Sequence, residues 1–213
     1  MAWDCAAGNG QATLPLAKHF AEVVATDASA EQLAEMPDDP RIRRYAAPAE
    51  ASGLADTSVD LVTVAQALHW LELSQFWNEA RRVLTEGGVL AAWCYGIQRV
   101  DDVEVDRRLQ TFYHSVVGPY WPPERRLVET GYGTIDFPFE ELTPPAFDMA
   151  LDWKLADLAA YIRTWSATNR FVRERGFDPV AGFEQELAPL WGAGTRRVRW
   201  PLSLRVGRSR RSG

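Results

Sequence analysis

Residues 3–13 of the chain read WDCAAGNGQAT, and no other stretch restricts the fold so far. An apolar strand end runs into a loop of small residues and then into helix-forming sequence. Such a loop exposes backbone N–H groups and lets a ligand approach the main chain closely. Two spacings compete within it. A dinucleotide loop needs G-x-G-x-x-G. Gly8 and Gly10 supply its first two glycines, but Thr13 takes the third position, where a β-branched side chain resists tight helix packing. The other spacing sets an acid at the strand end and small residues two apart: Asp4, Ala6, Gly8 and Gly10. It leaves room for an amino-acid moiety rather than a diphosphate. The Asp4 carboxylate can then accept from a cofactor amino group or order the loop. Asp27, at the end of the next apolar run, can accept both hydroxyls of a ribose, which suits either kind of cofactor.

The first half of the chain alternates strand and helix signals. MAWD, EVVATD, RIRRYA, VDLVTVAQ and VLAAWCYG are apolar or β-branched runs. Between them, Ser29 stands three residues before Gln32 in a capping pattern. LSQFWNEARRVL places Phe76, Trp77, Ala80, Val83 and Leu84 on one helical face, and TEGG reads as its stop. This rhythm predicts βαβ units: an α/β fold with a doubly wound, mostly parallel sheet covered on both faces. The rhythm breaks after Gly96. DDVEVDRRLQTFYHSVV reads as helix and GPYWPPERR as a proline-stiffened loop. YGTIDFPFEEL and FDMALDW read as extended. LADLAAYIRTWSATNRFVRE reads as one long helix, PVAGFEQELAPLW follows it, and RRVRWPLSLRVG reads as a closing strand.

Composition narrows the function. A net charge of −6 disfavours a general nucleic-acid binder. No apolar run approaches the ~18 residues of a membrane span, and no leader pattern precedes the first strand. The two cysteines, Cys5 and Cys94, form no C-x-x-C pair and read as reduced buried thiols of a cytoplasmic protein. The three histidines are scattered, with His19 and His114 expected on the surface, so no metal site is expected and metal-dependent methyl transfer is disfavoured. Tyr161, Trp165 and Phe171 at helical spacing read as core.

Four motifs in order carry a family resemblance. DCAAGNGQ matches a D-x-G-x-G-x-G-Q loop, and VVATDAS lies at the ribose position. APAEASGLADTSVDLVTVAQALHW spans an adenine-side loop, the fourth strand and the turn after it. EARRVLTEGGVLAAW is a helix–turn–strand hairpin. Over about residues 3–96 the sequence resembles the class I S-adenosylmethionine-dependent methyltransferases, and within them the trans-aconitate methyltransferase-like branch. The resemblance implies a Rossmann-like fold with a final antiparallel strand pair and a helical insertion after the fifth strand. It divides the chain into a cofactor-binding half at 1–98, an inserted lid region with the closing strands of the same domain at 99–206, and a flexible tail at 207–213. It also implies that a segment normally preceding the first strand is missing, so that the clipped strand holds the cofactor loosely.

Carried over residue by residue, the resemblance assigns Asp4, Ala6, Gly8 and Gly10 to the cofactor loop, with Ala6 standing where glycine is usual. It assigns Asp27 to the ribose, Ala28 to the adenine, and Ala49 and Glu50 to the adenine edge. Pro48 takes a position often held by aspartate, so Glu50 or the backbone must meet the adenine amine. Gln66 and Ala67 lie near the transferred methyl. By position at the carboxyl edge of the fourth strand, His69 and Trp70 are candidates to face the acceptor, His69 as hydrogen-bond donor or general base. Tyr120, Trp121 and Arg125 could orient a carboxylate. The expected partner is a small-molecule acceptor, with an oxygen or nitrogen nucleophile displacing S-adenosylhomocysteine. A non-catalytic cofactor-binding remnant is the alternative, and a nicotinamide oxidoreductase is disfavoured by Thr13.

Overall fold

The computed structural model describes residues 1–147 and 149–209. Strand and helix alternate through β1 (Ala2–Cys5), α1 (Thr13–Leu16), β2 (Val23–Asp27), α2 (Ala30–Ala34), β3 (Ile42–Ala46), β4 (Val59–Ala65), α3 (Leu73–Val83) and β5 (Leu84–Tyr95). Then follow β6 (Arg99–Val100), α4 (Val103–Thr111), α5 (Arg125–Glu129), β7 (Glu140–Leu142) and β8 (Met149–Trp153). The last elements are α6 (Leu155–Arg163), α7 (Ser166–Arg175), α8 (Pro179–Trp191), β9 (Arg196–Trp200) and β10 (Leu202–Arg208).

The chain forms two compact units. The first holds Met1–Tyr95, Thr130–Ala146 and the stretch from Ser203. Its seven-stranded sheet runs β3-β2-β1-β4-β5-β10-β7. The pairs β1–β2, β1–β4, β2–β3 and β4–β5 are parallel, and β7 joins β10 antiparallel. The expected α/β, Rossmann-like sheet is therefore present, with its antiparallel closing strands. Every residue of β1 is buried because it is the central strand, paired on both sides. The chain winds outward from β1 to β3 and returns to β4 on the other flank. That reversal puts the topological switch point between β1 and β4, and open α/β sheets hold ligands at the carboxyl ends of the strands beside it. Helix α3 buries Phe76, Trp77, Ala80 and Val83 along one stripe, and Ser29 caps α2 through the Gln32 N–H, both as the pattern predicts.

The second unit, Gly96–Glu129 and Phe147–Leu202, is not purely helical. It contains an antiparallel sheet, β6-β9-β8, beside α4 to α8. Four expectations change here. The long helix over 155–174 is two helices. The Trp165 N–H closes onto Ile162 O, and Trp165 itself adopts an extended backbone with its ring buried. GPYWPPERR is not all loop, because α5 begins at Arg125. The closing strand is two strands in different sheets, separated at Pro201, which has no N–H for a ladder. The tail expected over 207–213 is not one at its start, for β10 runs to Arg208 and the Ser209 N–H donates to Gly88 O; its remainder, 210–213, lies outside the described residues. In the first unit TEGG is more than a helix stop, for β5 starts directly at Leu84 with an irregular register between Val59 and Leu61. Among the described residues no helix is long and apolar enough to cross a membrane.

Candidate functional site

The loop after β1 turns through three left-handed residues, Ala6 at φ 55°, Gly8 at φ 55° and Gly10 at φ 88°. Two of the three are glycine, which adopts that region without steric cost. At Gly10 the need is double, since a Cβ would stand 2.5 Å from Met36 Cγ. Above Gly8 a Cβ would make only an ordinary van der Waals contact, with Gln32 Oε1 at 3.8 Å, so the left-handed backbone rather than crowding calls for glycine there. Ala6 is the exception. It keeps the backbone of a glycine while carrying a methyl, a strain of about 1–2 kcal/mol. Ala6→Gly removes that strain and gives back part of it as unfolded-chain entropy. We expect a net gain of about 0.5–1 kcal/mol in urea unfolding; a loss of stability in that measurement would contradict the strain.

Asp27 fastens the loop. Its Oδ2 accepts the Gly8 N–H at 2.9 Å and its Oδ1 accepts the Ser29 N–H at 2.8 Å. Asp4 lies deeper and is fully buried. Its oxygens take the hydroxyls of Thr13 (2.6 Å) and Thr63 (2.8 Å), not loop N–H groups. Burial pushes the Asp4 carboxyl up to about 6, against the pull of those two donors. Thr13, the residue that spoils a dinucleotide loop, thus ties the loop back to the strand that launches it.

A second loop carries Ala49 and Glu50. Ala49 is buried, Pro48 and Ala28 are exposed, and Glu50 Oε1 accepts the Glu72 N–H at 2.9 Å where α3 begins. The same loop is anchored two residues on. Glu79 of α3 accepts from both the N–H (2.8 Å) and the hydroxyl (2.5 Å) of Ser52, and from Arg82 at 2.8 and 2.7 Å. After β4, Gln66 turns left-handed at φ 54° and spans to β5, its N–H on Trp93 O and its Oε1 on the Tyr95 N–H. Ala67 is buried and leads into a short turn, Leu68–Trp70. There the His69 ring lies 4.7 Å from that of Trp70, tilted by 43°; Trp70 is 59% exposed, and His69 Nδ1 lies 2.9 Å from Tyr132 Oη. The structure therefore brings the loop residues, Asp27, Glu50, Gln66, Ala67, His69 and Trp70 to the carboxyl edge of one sheet.

Tyr120, Trp121 and Arg125 gather separately, within the second unit. The Arg125 guanidinium stands 4.7 Å over the Trp121 ring, and its Nε donates to Tyr113 Oη at 2.7 Å. Tyr113 donates onward to Glu129, and burial holds its hydroxyl well above the usual tyrosine range. Trp121 Nε1 is buried without a hydrogen-bond partner among the described residues. Tyr120 Oη accepts from Arg175. Trp165 and Phe171 are core and His19 and His114 are exposed, as expected, but Tyr161, also expected in the core, is only partly buried. Cys5 and Cys94 are buried thiols.

A family described as the methyltransferase domain matches residues 3–92. A Dictyostelium discoideum protein provisionally named a methyltransferase is 34% identical over 192 residues, covering 88% of this chain and 72% of its own. A Saccharomyces cerevisiae protein provisionally named an S-adenosylmethionine-dependent methyltransferase is 30% identical over 143 residues, covering 61% of this chain and 48% of its own. Among solved structures, a protein of Anaeromyxobacter dehalogenans, provisionally named a type II methyltransferase, superposes with a TM-score of 0.91 at 42% identity over 98% of this chain and 89% of its own. The chain belongs to the class I S-adenosylmethionine-dependent methyltransferases. It is a transferase enzyme, and its cofactor is S-adenosylmethionine.

Proposed function

We propose that the chain transfers a methyl group to a small-molecule acceptor, in the manner of the trans-aconitate methyltransferase-like branch. The observation that carries this reading is the left-handed loop over Ala6, Gly8 and Gly10, fastened by Asp27 at a sheet switch point. The residues fit the cofactor. A carboxylate offers about four lone-pair sites, so Asp27 retains two for ribose hydroxyls after its two backbone bonds. Glu50 keeps Oε2 for the adenine amine while Oε1 stays on Glu72. Ala28 and Ala49 would flank the adenine, and the main chain of the left-handed loop at Gly8 would take the methionine end. Asp4 would act through Thr13 by holding the loop's shape.

S-adenosylmethionine, when bound, supplies a methyl group already activated on sulfonium, so the chain's residues have to position and shield more than to activate. Gln66 and Ala67 would border the transfer point, and His69 and Trp70 would meet the acceptor. Arg125 would hold a carboxylate. Its Nε is committed to Tyr113 and its face to Trp121, which fixes the fork of its two Nη groups for a bidentate contact. Tyr120 and Trp121 would wall that contact. The buried thiols Cys5 and Cys94, outside any disulfide, favour a cytoplasmic setting.

Calorimetric titration with S-adenosylhomocysteine, and separately with NADH, tests the reading. Saturable binding of the first and none of the second is expected. Binding of NADH alone would replace the methyltransferase site with a nicotinamide one. Binding of S-adenosylhomocysteine with no turnover across a panel of small acids, phenols and amines would leave a cofactor-binding module.

A further inference from the structure

We propose that Tyr132 is a positioning residue that sets His69 as an N–H donor toward the acceptor rather than as a general base. The inference rests on the reading of His69 given above. Tyr132 is fully buried, yet its backbone is left-handed at φ 62°. A bulky residue in that region is a genuine outlier, and such strain persists only where the surroundings enforce it. Here the enforcement is visible. Arg205 of β10 donates through Nη1 to Tyr132 O at 2.9 Å and to Ile135 O at 2.6 Å. The same guanidinium pairs with Glu141 and lies 4.5 Å over the Phe137 ring. The clamp fixes the turn that carries the phenol, and the phenol oxygen ends 2.9 Å from His69 Nδ1.

The direction of that bond follows from acidity. A phenol, with a pKa of about 10, is a far stronger donor than a neutral imidazole N–H, and an imidazole nitrogen is the better acceptor of the two. The O–H therefore donates to Nδ1, and neutral His69 carries its proton on Nε2. That tautomer has no lone pair left on Nε2 to abstract a proton, and its Nδ1 is covered by Tyr132. What it offers is an Nε2–H, suited to the oxygen of an acceptor that arrives already nucleophilic. The site then selects acceptors that need no deprotonation, and it holds them by a hydrogen bond whose direction Tyr132 dictates.

Long-range ¹H–¹⁵N correlation of the imidazole rings in the full chain reads the tautomer directly. His19, His69 and His114 are the three histidines, so a His69→Gln spectrum assigns the signal. For neutral His69 the Nε2–H form is expected in at least about tenfold excess, the ratio that a net bond of about 1.4 kcal/mol confers. In Tyr132→Phe, which keeps the ring and loses the oxygen, the Nδ1–H form is expected to rise several-fold. A wild-type spectrum dominated by Nδ1–H overturns the proposal, and so does an unchanged ratio in Tyr132→Phe. Calorimetry with S-adenosylhomocysteine on the same samples separates the two readings. Binding retained in both proteins with the wrong tautomer would sink only the Tyr132 assignment, whereas no binding in the wild type would sink the site itself.

Discussion

Replacing Asp27 by alanine is expected to weaken S-adenosylhomocysteine binding by about 100-fold, since two hydroxyl-to-carboxylate bonds at about 1.5 kcal/mol each vanish together. Two causes act in the same direction. The ribose loses its acceptor, and the Gly8 N–H loses the Oδ2 atom that sets the height of the loop. Asp27→Asn separates them. It preserves one carbonyl oxygen for Gly8 or for Ser29 but not the charge, so a loss nearer tenfold is expected by the same scale. Folding should change much less. Asp27 sits at the open end of β2, half-buried, where water replaces its hydrogen bonds. Calorimetry paired with a thermal melt checks both halves. A variant that binds like the wild type would remove Asp27 from the cofactor site, whatever the melt shows.

How much of this was legible in the sequence depends on how local each feature is. The loop and Asp27 lie within 27 residues and follow one strand–turn–helix rule, so spacing alone exposes them. The alternation that builds the sheet is equally local, because burial on both faces of a parallel strand writes a near-continuous apolar run such as VVA in β2. Partners distant in sequence leave no such trace. Thr63 meets Asp4 across 59 positions, Glu79 meets Ser52 across 27, and Tyr132 meets His69 across 63. The sequence puts Tyr132 at the head of an extended segment, and nothing near it signals a left-handed turn beneath a histidine. The return of Thr130–Ala146 to the main unit is hidden for the same reason, since its short strand β7 contributes only three residues to the pattern. The break between α6 and α7 escapes the periodicity because Tyr161, Trp165 and Phe171 keep helical spacing across it. The chain there satisfies burial of Trp165 and Phe171 before it satisfies helix continuity.

Glu79 shows how such an unseen contact can govern the visible site, and its removal is expected to cost the fold more than any change at the loop. It is nearly buried on α3, yet it stays ionised. Burial pushes its carboxyl up, but the Arg82 guanidinium and the two Ser52 donors outweigh that and hold it below the usual range. Glu79→Ala leaves the wholly buried Ser52 N–H without its acceptor and strands Arg82 on its remaining contact with Asp56. The cost is about 3 kcal/mol, because each orphaned buried group costs about 1–3 kcal/mol and Arg82 is partly solvated. For a chain of this size that corresponds to a fall of about 6–12 °C in the melting temperature. The pH dependence carries a sign. A carboxyl whose folded pKa is depressed stabilises the fold above its unfolded value near 4.5 and loses that contribution as pH falls through the lower folded value. Glu79→Gln should therefore flatten the acid limb of the melting curve while lowering its neutral plateau. Because Ser52 belongs to the loop that carries Ala49 and Glu50, both variants should also loosen S-adenosylhomocysteine at temperatures where the fold is intact. Unchanged affinity in folded Glu79→Gln would mean that the adenine-side loop keeps its shape without its anchor on α3, and would leave Glu50 and its bond to Glu72 as what positions that edge.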